Sequence, residues 1–247
     1  MKTRTKYPKS IKRVDETKTV FKRGQKSKLG FDISVGDWKG MPIYNLTLEE
    51  RVTCPKDCEQ WDICYGDNMP FAHRIDHTDP SFYDRMNVEL NIMDVLHIHG
   101  YVIRLHVLGD FFSKEYIVFW LLQLLNRKAL RIWGYTHNKR DTELGKMIAE
   151  LNETGKAFIR YSDDHCTSFN TRVKRDPVWS AHKKMNNKFK REGKSQVFPI
   201  QTSIPKYHNQ MICPEQVHPN KYKCANCGAC WNPKLKENGT TIVFLQH

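Results

Sequence analysis

Short apolar runs rich in β-branched and aromatic residues alternate along this chain with longer stretches of helical periodicity. Residues 42–46 predict a first strand, and the polar, cysteine-bearing stretch 53–65 follows it directly. Asp79-Pro80 makes an N-cap and first-turn pair for a helix reaching about His99, with Gly100 as its stop. Residues 101–107 predict a buried strand, after which Ser113 caps a strongly apolar helix to about Asn126. Next come a strand at 131–136, an amphipathic helix at 141–152 ended by Gly155, and a strand at 157–161. A helix starts near Pro177, and residues 197–202 and 241–245 are the remaining strand candidates.

Strands that alternate with helices imply parallel βα units rather than a sandwich. Five or six such units in about 200 residues fit an α/β fold, a partial (open) βα barrel with parallel strands, short of a complete eightfold TIM barrel. The chain divides into a basic N-terminal arm (residues 1–30), the partial barrel (31–205) and a Cys-rich segment with a closing strand (206–247). Polar and sulfur residues gather just after strands: the Cys54 loop, Gly109-Asp110, Thr136-His137-Asn138 and Ser162-Asp163-Asp164. In parallel barrels and open sheets these strand ends form the ligand-binding rim.

Charge bears on partners, not on fold. The 247 residues hold 40 Lys+Arg against 27 Asp+Glu, a net of +13. The excess is concentrated: residues 1–28 carry a net +9 and residues 172–194 a net +7, leaving −3 for everything else. Such segments select a polyanion, nucleic acid first. The phosphate-contacting candidates are Lys22, Arg23, Lys26, Lys28, Arg172, Lys174, Arg175, Lys183, Lys184, Lys188, Lys190 and Arg191, with Trp179, His182 and Phe189 interleaved as stacking surfaces. A solvated, partly disordered arm and a wet helix face would read the same way. No apolar run reaches membrane-spanning length, which predicts a cytoplasmic protein without a membrane partner.

In a reducing compartment, clustered cysteines read as metal ligands before disulfides. Cys213, Cys224, Cys227 and Cys230 have a spacing of ten, two and two residues, which suits a 4Fe–4S cluster, with zinc as the alternative. Cys54, Cys58 and Cys64 have no close fourth thiol and suit a second 4Fe–4S cluster with one open iron; His73 and His77 would instead complete a zinc site. Cys166 stays unassigned as a buried thiol, a replacement ligand or a reactive thiol.

The sequence resembles the phage gene product 88 family through residues 26–30, Thr53-Cys54-Pro55 with Cys58 and Cys64-Tyr65, and Arg104 and His106 leading into Gly109-Asp110-Phe111. The likeness continues in Trp133-Gly134-Tyr135-Thr136, Ile212-Cys213-Pro214 and the closing Cys224, Cys227 and Cys230-Trp231. More distantly it resembles the radical S-adenosylmethionine superfamily, whose partial barrel carries a three-cysteine loop after its first strand. There the cysteine spacing is usually three then two, whereas here it is three then five.

That second resemblance implies an enzyme that binds S-adenosylmethionine at the Cys54, Cys58 and Cys64 cluster and, with a reductant, generates a radical from it. Gly109 and Asp110 would hold the methionine end, and Thr136, Asn138 and Ser162 the ribose or carboxylate. Asp110 and Asp163 are then the catalytic candidates. Base or nucleotide modification is the expected chemistry; a non-catalytic, zinc- or iron–sulfur-stabilised nucleic-acid-binding protein is the alternative. A phage-encoded chain would work in the host cell cytoplasm.

Overall fold

Alternation every second residue sends the strand side chains to two sheet faces, and both faces are covered. The computed structural model describes residues 3–24, 28–162, 170–205 and 209–246. The strands are β1 (Ile11–Lys12), β2 (Lys22–Arg23), β3 (Ile43–Asn45), β4 (Arg74–Ile75), β5 (Tyr101–Leu105), β6 (Leu130–Thr136), β7 (Ala157–Ser162), β8 (Asn170–Lys174), β9 (Gln210–Ile212) and β10 (Thr241–Leu245). The helices are α1 (Phe82–Leu96), α2 (Lys114–Asn126), α3 (Glu143–Glu153), α4 (Pro177–Arg191), α5 (Pro214–Val217), α6 (Cys224–Cys227) and α7 (Pro233–Glu237).

The main sheet runs in the order β2-β3-β5-β6-β7-β8-β10-β9. Among the described residues of this sheet only β2 is antiparallel to its neighbour; every other pair is parallel. Among the described residues the sheet is open, with β2 and β9 as edges, so the fold is mixed α/β with parallel strands and no closed barrel. On one face Ile103, Leu105, Ile132, Ile159 and Tyr161 bury against Leu90 of α1, Trp120 of α2 and Leu151 of α3. On the other, Ile43, Val102, Trp133 and Phe158 pack under Leu29, Trp38, Ala225 and Trp231, with Trp38 stacked on Trp231 at 5.6 Å. Gly134 lies at a close approach of β5 to β6, where a Cβ would stand 1.3 Å from the Leu105 carbonyl oxygen.

Ser113 caps α2 by accepting from the Tyr116 N–H, and Asp176 caps α4 ahead of Pro177. Helix α1 starts at Phe82, later than expected, because the Asp79 carboxylate binds the N–H groups of Ser81 and Val14. Residues 197–202 are not a strand. Their polar groups go to α4 and α5 instead: Val197 exchanges two hydrogen bonds with the Asn186 side chain, Ile200 N–H reaches the Val217 carbonyl, and Gln201 N–H reaches His182 Nδ1. The sheet positions there are filled by β8 and β9, with β10 between them.

Residues 3–24, read from sequence as part of an arm, lie against the body. β1 pairs with β4, and Val14, Val20 and Phe21 join the core. The Glu89 carboxylate of α1 accepts the N–H groups of Val20 and Phe21. Much of the segment's charge is met locally: Arg4 pairs with Glu49, Lys6 with Asp67, Arg13 with Asp79 and Arg23 with Asp32.

Candidate functional site

Three strand-end loops meet around Asp110. Its buried Oδ1 accepts from Phe111 N–H (2.7 Å), Thr136 Oγ1 (2.7 Å) and Asn138 Nδ2 (3.3 Å), and Oδ2 accepts from His137 N–H (2.7 Å). The Asp110 N–H donates to Thr53 Oγ1, one residue before Cys54 (3.3 Å). Lys139 further ties the loop after β6 to Asp57, inside the first cysteine loop. Burial pushes the Asp110 carboxyl up to about 6 against the pull of these donors. His137 Nδ1 stands 3.8 Å from Asp110 Oδ2, and burial lowers this imidazole to about 4. Gly109, Asp110, Thr136 and Asn138 are therefore brought together, with Asp110's oxygens already engaged by protein donors. Ser162 ends β7 in register with Thr171; Asp163 and Cys166 lie outside the described residues.

Gly109 has φ +87°, and a Cβ there would fall 2.5 Å from Thr53 Oγ1 and 2.7 Å from Leu48 Cβ. Gly109→Ala is expected to cost about 2–4 kcal/mol from the left-handed backbone plus the clash. Urea denaturation measures the cost, and faster Cys54 labelling in the native state should accompany it. Unchanged stability would mean that the Asp110 loop is not seated on Thr53.

The first cysteine loop leaves β3 and returns through β4, closed by two arginines. Fully buried Arg74 donates from Nε and Nη2 to the two Glu50 oxygens (2.6 and 3.0 Å), and to Ser10 Oγ and the carbonyls of Gly66, Met69 and Ala72. Arg51 pairs with Asp67 at 2.9 Å and donates to the Trp61 carbonyl.

The second cysteine group is held by an arginine anchor. Arg160 of β7 is fully buried and donates to the carbonyls of Thr240 (2.8 Å), Cys230 (3.0 Å) and Ala229 (3.3 Å). Helix α6, left-handed Gly228 and the 3-10 turn Ala229–Trp231 carry Cys224, Cys227 and Cys230 around one corner. The Cys224 and Ala225 N–H groups bond to the carbonyls of Lys28 and Leu29, and Tyr135 OH lies 2.9 Å from Cys230 Sγ.

Do these thiols suit a metal? The seven described cysteines are all free. Among the described residues, no three His, Cys, Asp or Glu side chains stand close enough to hold a metal ion. Burial pushes Cys58 up to about 11 and Cys213 to about 12, and raises Cys54, Cys64, Cys224 and Cys227 as well. Several features oppose that rise. Backbone hydrogen bonds reach Cys58 from Gln60, Cys64 from Gly66, Cys213 from Gln216 and Cys227 from Ala229. Arg51 acts on Cys64, Lys28 on Cys213, and Arg104 and Lys28 on Cys224. Such bonds and cations favour thiolate, the form that ligates metal. The residue types are those of a thiolate site, but burial outweighs these contributions and the described thiols are not gathered into one.

Between the groups lies Arg104 of β5, a residue absent from the sequence-derived candidates. Its guanidinium carbon is 5.4 Å from the Trp133 ring centroid and 6.0 Å from that of Tyr135. Tyr65, Tyr135, Cys224 and Cys230 all act on its charge. The available signals were a charge inside the apolar run 101–107 and its place in the family-like motif leading into Gly109-Asp110.

The basic candidates divide. Lys22 and Arg23 lie on edge strand β2, Arg23 donating to Phe31 and Ile43 carbonyls beside its Asp32 pair. Lys28 stands 3.8 Å from Glu215, and Lys183 lies over the Trp179 ring. Lys174 ends β8, Arg175 is exposed after it, and Lys184, Lys188, Lys190 and Arg191 are exposed on α4. Lys26 and the Arg172 side chain lie outside the described residues. Trp179 and His182 are not stacking surfaces: both are buried, the indole donating to the Gln216 carbonyl. Their spacing with Asn186, three then four, is that of one inward helix face.

An open parallel sheet carrying two thiol-rich loops defines a cysteine-rich α/β protein. The chain belongs to the Gene product 88 family, whose model matches residues 9–233. This agrees with the phage family that its motifs resemble. No curated protein and no solved structure matches it, so the radical S-adenosylmethionine likeness rests on motifs alone. No helix among the described residues is long and apolar enough to cross a membrane.

Proposed function

We propose that the chain is an iron–sulfur enzyme of the radical S-adenosylmethionine type, its sheet acting as a partial barrel with the cysteine loops at the reaction site. The observation that carries this reading is the backbone-bonded first cysteine loop, locked through Thr53 to Asp110 at the strand ends. Cys54, Cys58 and Cys64 would hold one cluster, and Cys213, Cys224, Cys227 and Cys230 a second, auxiliary one. A reduced cluster with S-adenosylmethionine would supply one-electron chemistry for hydrogen abstraction. The protein's own share is position and dryness. Asp110 fixes the loops after β5 and β6 against Thr53, with Thr136 and Asn138 as its donors. Arg51 offsets thiolate charge at Cys64.

A second reading, a zinc- or iron–sulfur-stabilised nucleic-acid-binding protein, is favoured by one feature. Lys184, Lys188 and Arg191 are exposed at helical spacing on α4 and could follow a phosphate backbone. Base or nucleotide modification would join the two readings. The test is anaerobic purification, iron and sulfide assay, and electron paramagnetic resonance of the reduced protein with and without S-adenosylmethionine. Two clusters, one perturbed by the added compound, are expected. A colourless zinc protein with salt-sensitive oligonucleotide binding would replace the first reading with the second.

A further inference from the structure

Arg51, Arg74 and Arg160 are buried in this fold, and each has a carboxylate or carbonyl partner. Arg74 has the Glu50 carboxylate and three carbonyls, and Arg160 has three carbonyls. Arg104 differs. Among the described residues no carboxylate pairs with it, and its Nε is buried without a hydrogen-bond partner. What surrounds it is aromatic or sulfur: Trp133, Tyr135, Tyr65, Cys224 and Cys230. Arg104 itself is half-buried, and neighbouring Tyr65 keeps 47% of its surface accessible.

A guanidinium cannot shed its proton, and a charge withdrawn from water needs a counter-charge. Ring faces supply only part of one. An anion arriving from outside meets the need, and the planar fork of arginine matches a two-oxygen headgroup.

We propose that Arg104 is the anchor of a small-oxyanion site, for the phosphate or carboxylate of a ligand held between the two cysteine groups, with the Tyr65 and Tyr135 hydroxyls at its sides. This deepens the proposed function by giving its substrate or cofactor a charged handle, and rests on that reading only for the name of the reaction.

The test uses the full-length protein as purified, at constant ionic strength. Inorganic phosphate is titrated and followed by its 31P linewidth, and acetate in parallel by its methyl proton relaxation. One saturable site is expected, with the preferred anion telling phosphate from carboxylate. Arg104→Gln should weaken it about tenfold or more, Arg104→Lys less, and Lys146→Gln on exposed α3 not at all. Circular dichroism and metal content separate binding from folding. The proposal is overturned if neither anion saturates, or if Arg104→Gln binds as the wild type does. Loss of metal with anion binding intact would also overturn it, making Arg104 a counter-charge for thiolates. None of these readouts needs iron, so failure of the radical-enzyme reading leaves this result legible.

Discussion

Replacing Arg74 by methionine is expected to lower stability by about 3–5 kcal/mol, the largest single effect among the sites described here. The reason is asymmetry. Arg74 and Glu50 are both almost completely inaccessible, so removing the cation strands a carboxylate in the interior. It also leaves the Gly66, Met69 and Ala72 carbonyls short of a donor. Thr5 Oγ1 still donates to Glu50 Oε1, which softens the loss without replacing a charge. Replacing both partners, Arg74→Met with Glu50→Leu, should recover much of the stability, because an apolar pair carries no desolvation cost. Urea denaturation of the two single variants and the double variant gives the cycle. A double variant as unstable as the sum of the singles would show that the pair does not act as a unit. The consequence for the site follows from position. Gly66 lies two residues after Cys64, so the loop carrying Cys58 and Cys64 should label faster in Arg74→Met than in the wild type.

Arg160→Met is expected to act on the other thiol group, with two effects of opposite sign. Losing a buried cation relieves a desolvation cost, one that already lowers the Arg160 pKa. Against that stand three carbonyls, of Ala229, Cys230 and Thr240, left without their donor. At about 1–3 kcal/mol for each stranded polar group, partly met by water, the lost bonds win by roughly 2–4 kcal/mol. The damage should be local, because these carbonyls belong to the segment covering the second sheet face and not to the helix-packed core. Mass-spectrometric thiol labelling should find Cys227 and Cys230 exposed while Cys54 and Cys58 keep wild-type rates. Equal acceleration at all described cysteines would mean general unfolding and would sink the anchoring role.

Both predictions concern residues that the chain's pattern did not single out, and this marks where legibility stopped. A buried arginine in a strand looks like a polar interruption of an apolar run. Whether it meets a carboxylate, a row of carbonyls or nothing depends on segments far away in sequence. Arg74 finds Glu50, Arg160 finds residues 229–240, and Arg104 finds only aromatic rings and thiols. The error at residues 197–202 has the same origin. An extended, β-branched stretch forms a strand only if a neighbouring backbone is free, and here Asn186, His182 and Val217 took its hydrogen bonds first. Trp179 and His182 went astray differently: their basic neighbours drew attention from a helical spacing that already pointed inward.

By itself the sequence determined what short-range physics controls. It set the alternation of strands and helices, the cap at Ser113, the helix start near Pro177, and the gathering of cysteines and polar residues after β3, β5 and β6. These follow from periodicity, backbone preference and hydrogen bonds within a few residues. Only the tertiary structure decided that the basic N-terminal residues lie on the body against acidic partners, that β10 enters between β8 and β9, and that Arg104 stands between the two thiol groups. Those outcomes depend on which distant charge, strand or ring reaches a given residue, and no local pattern carries that information.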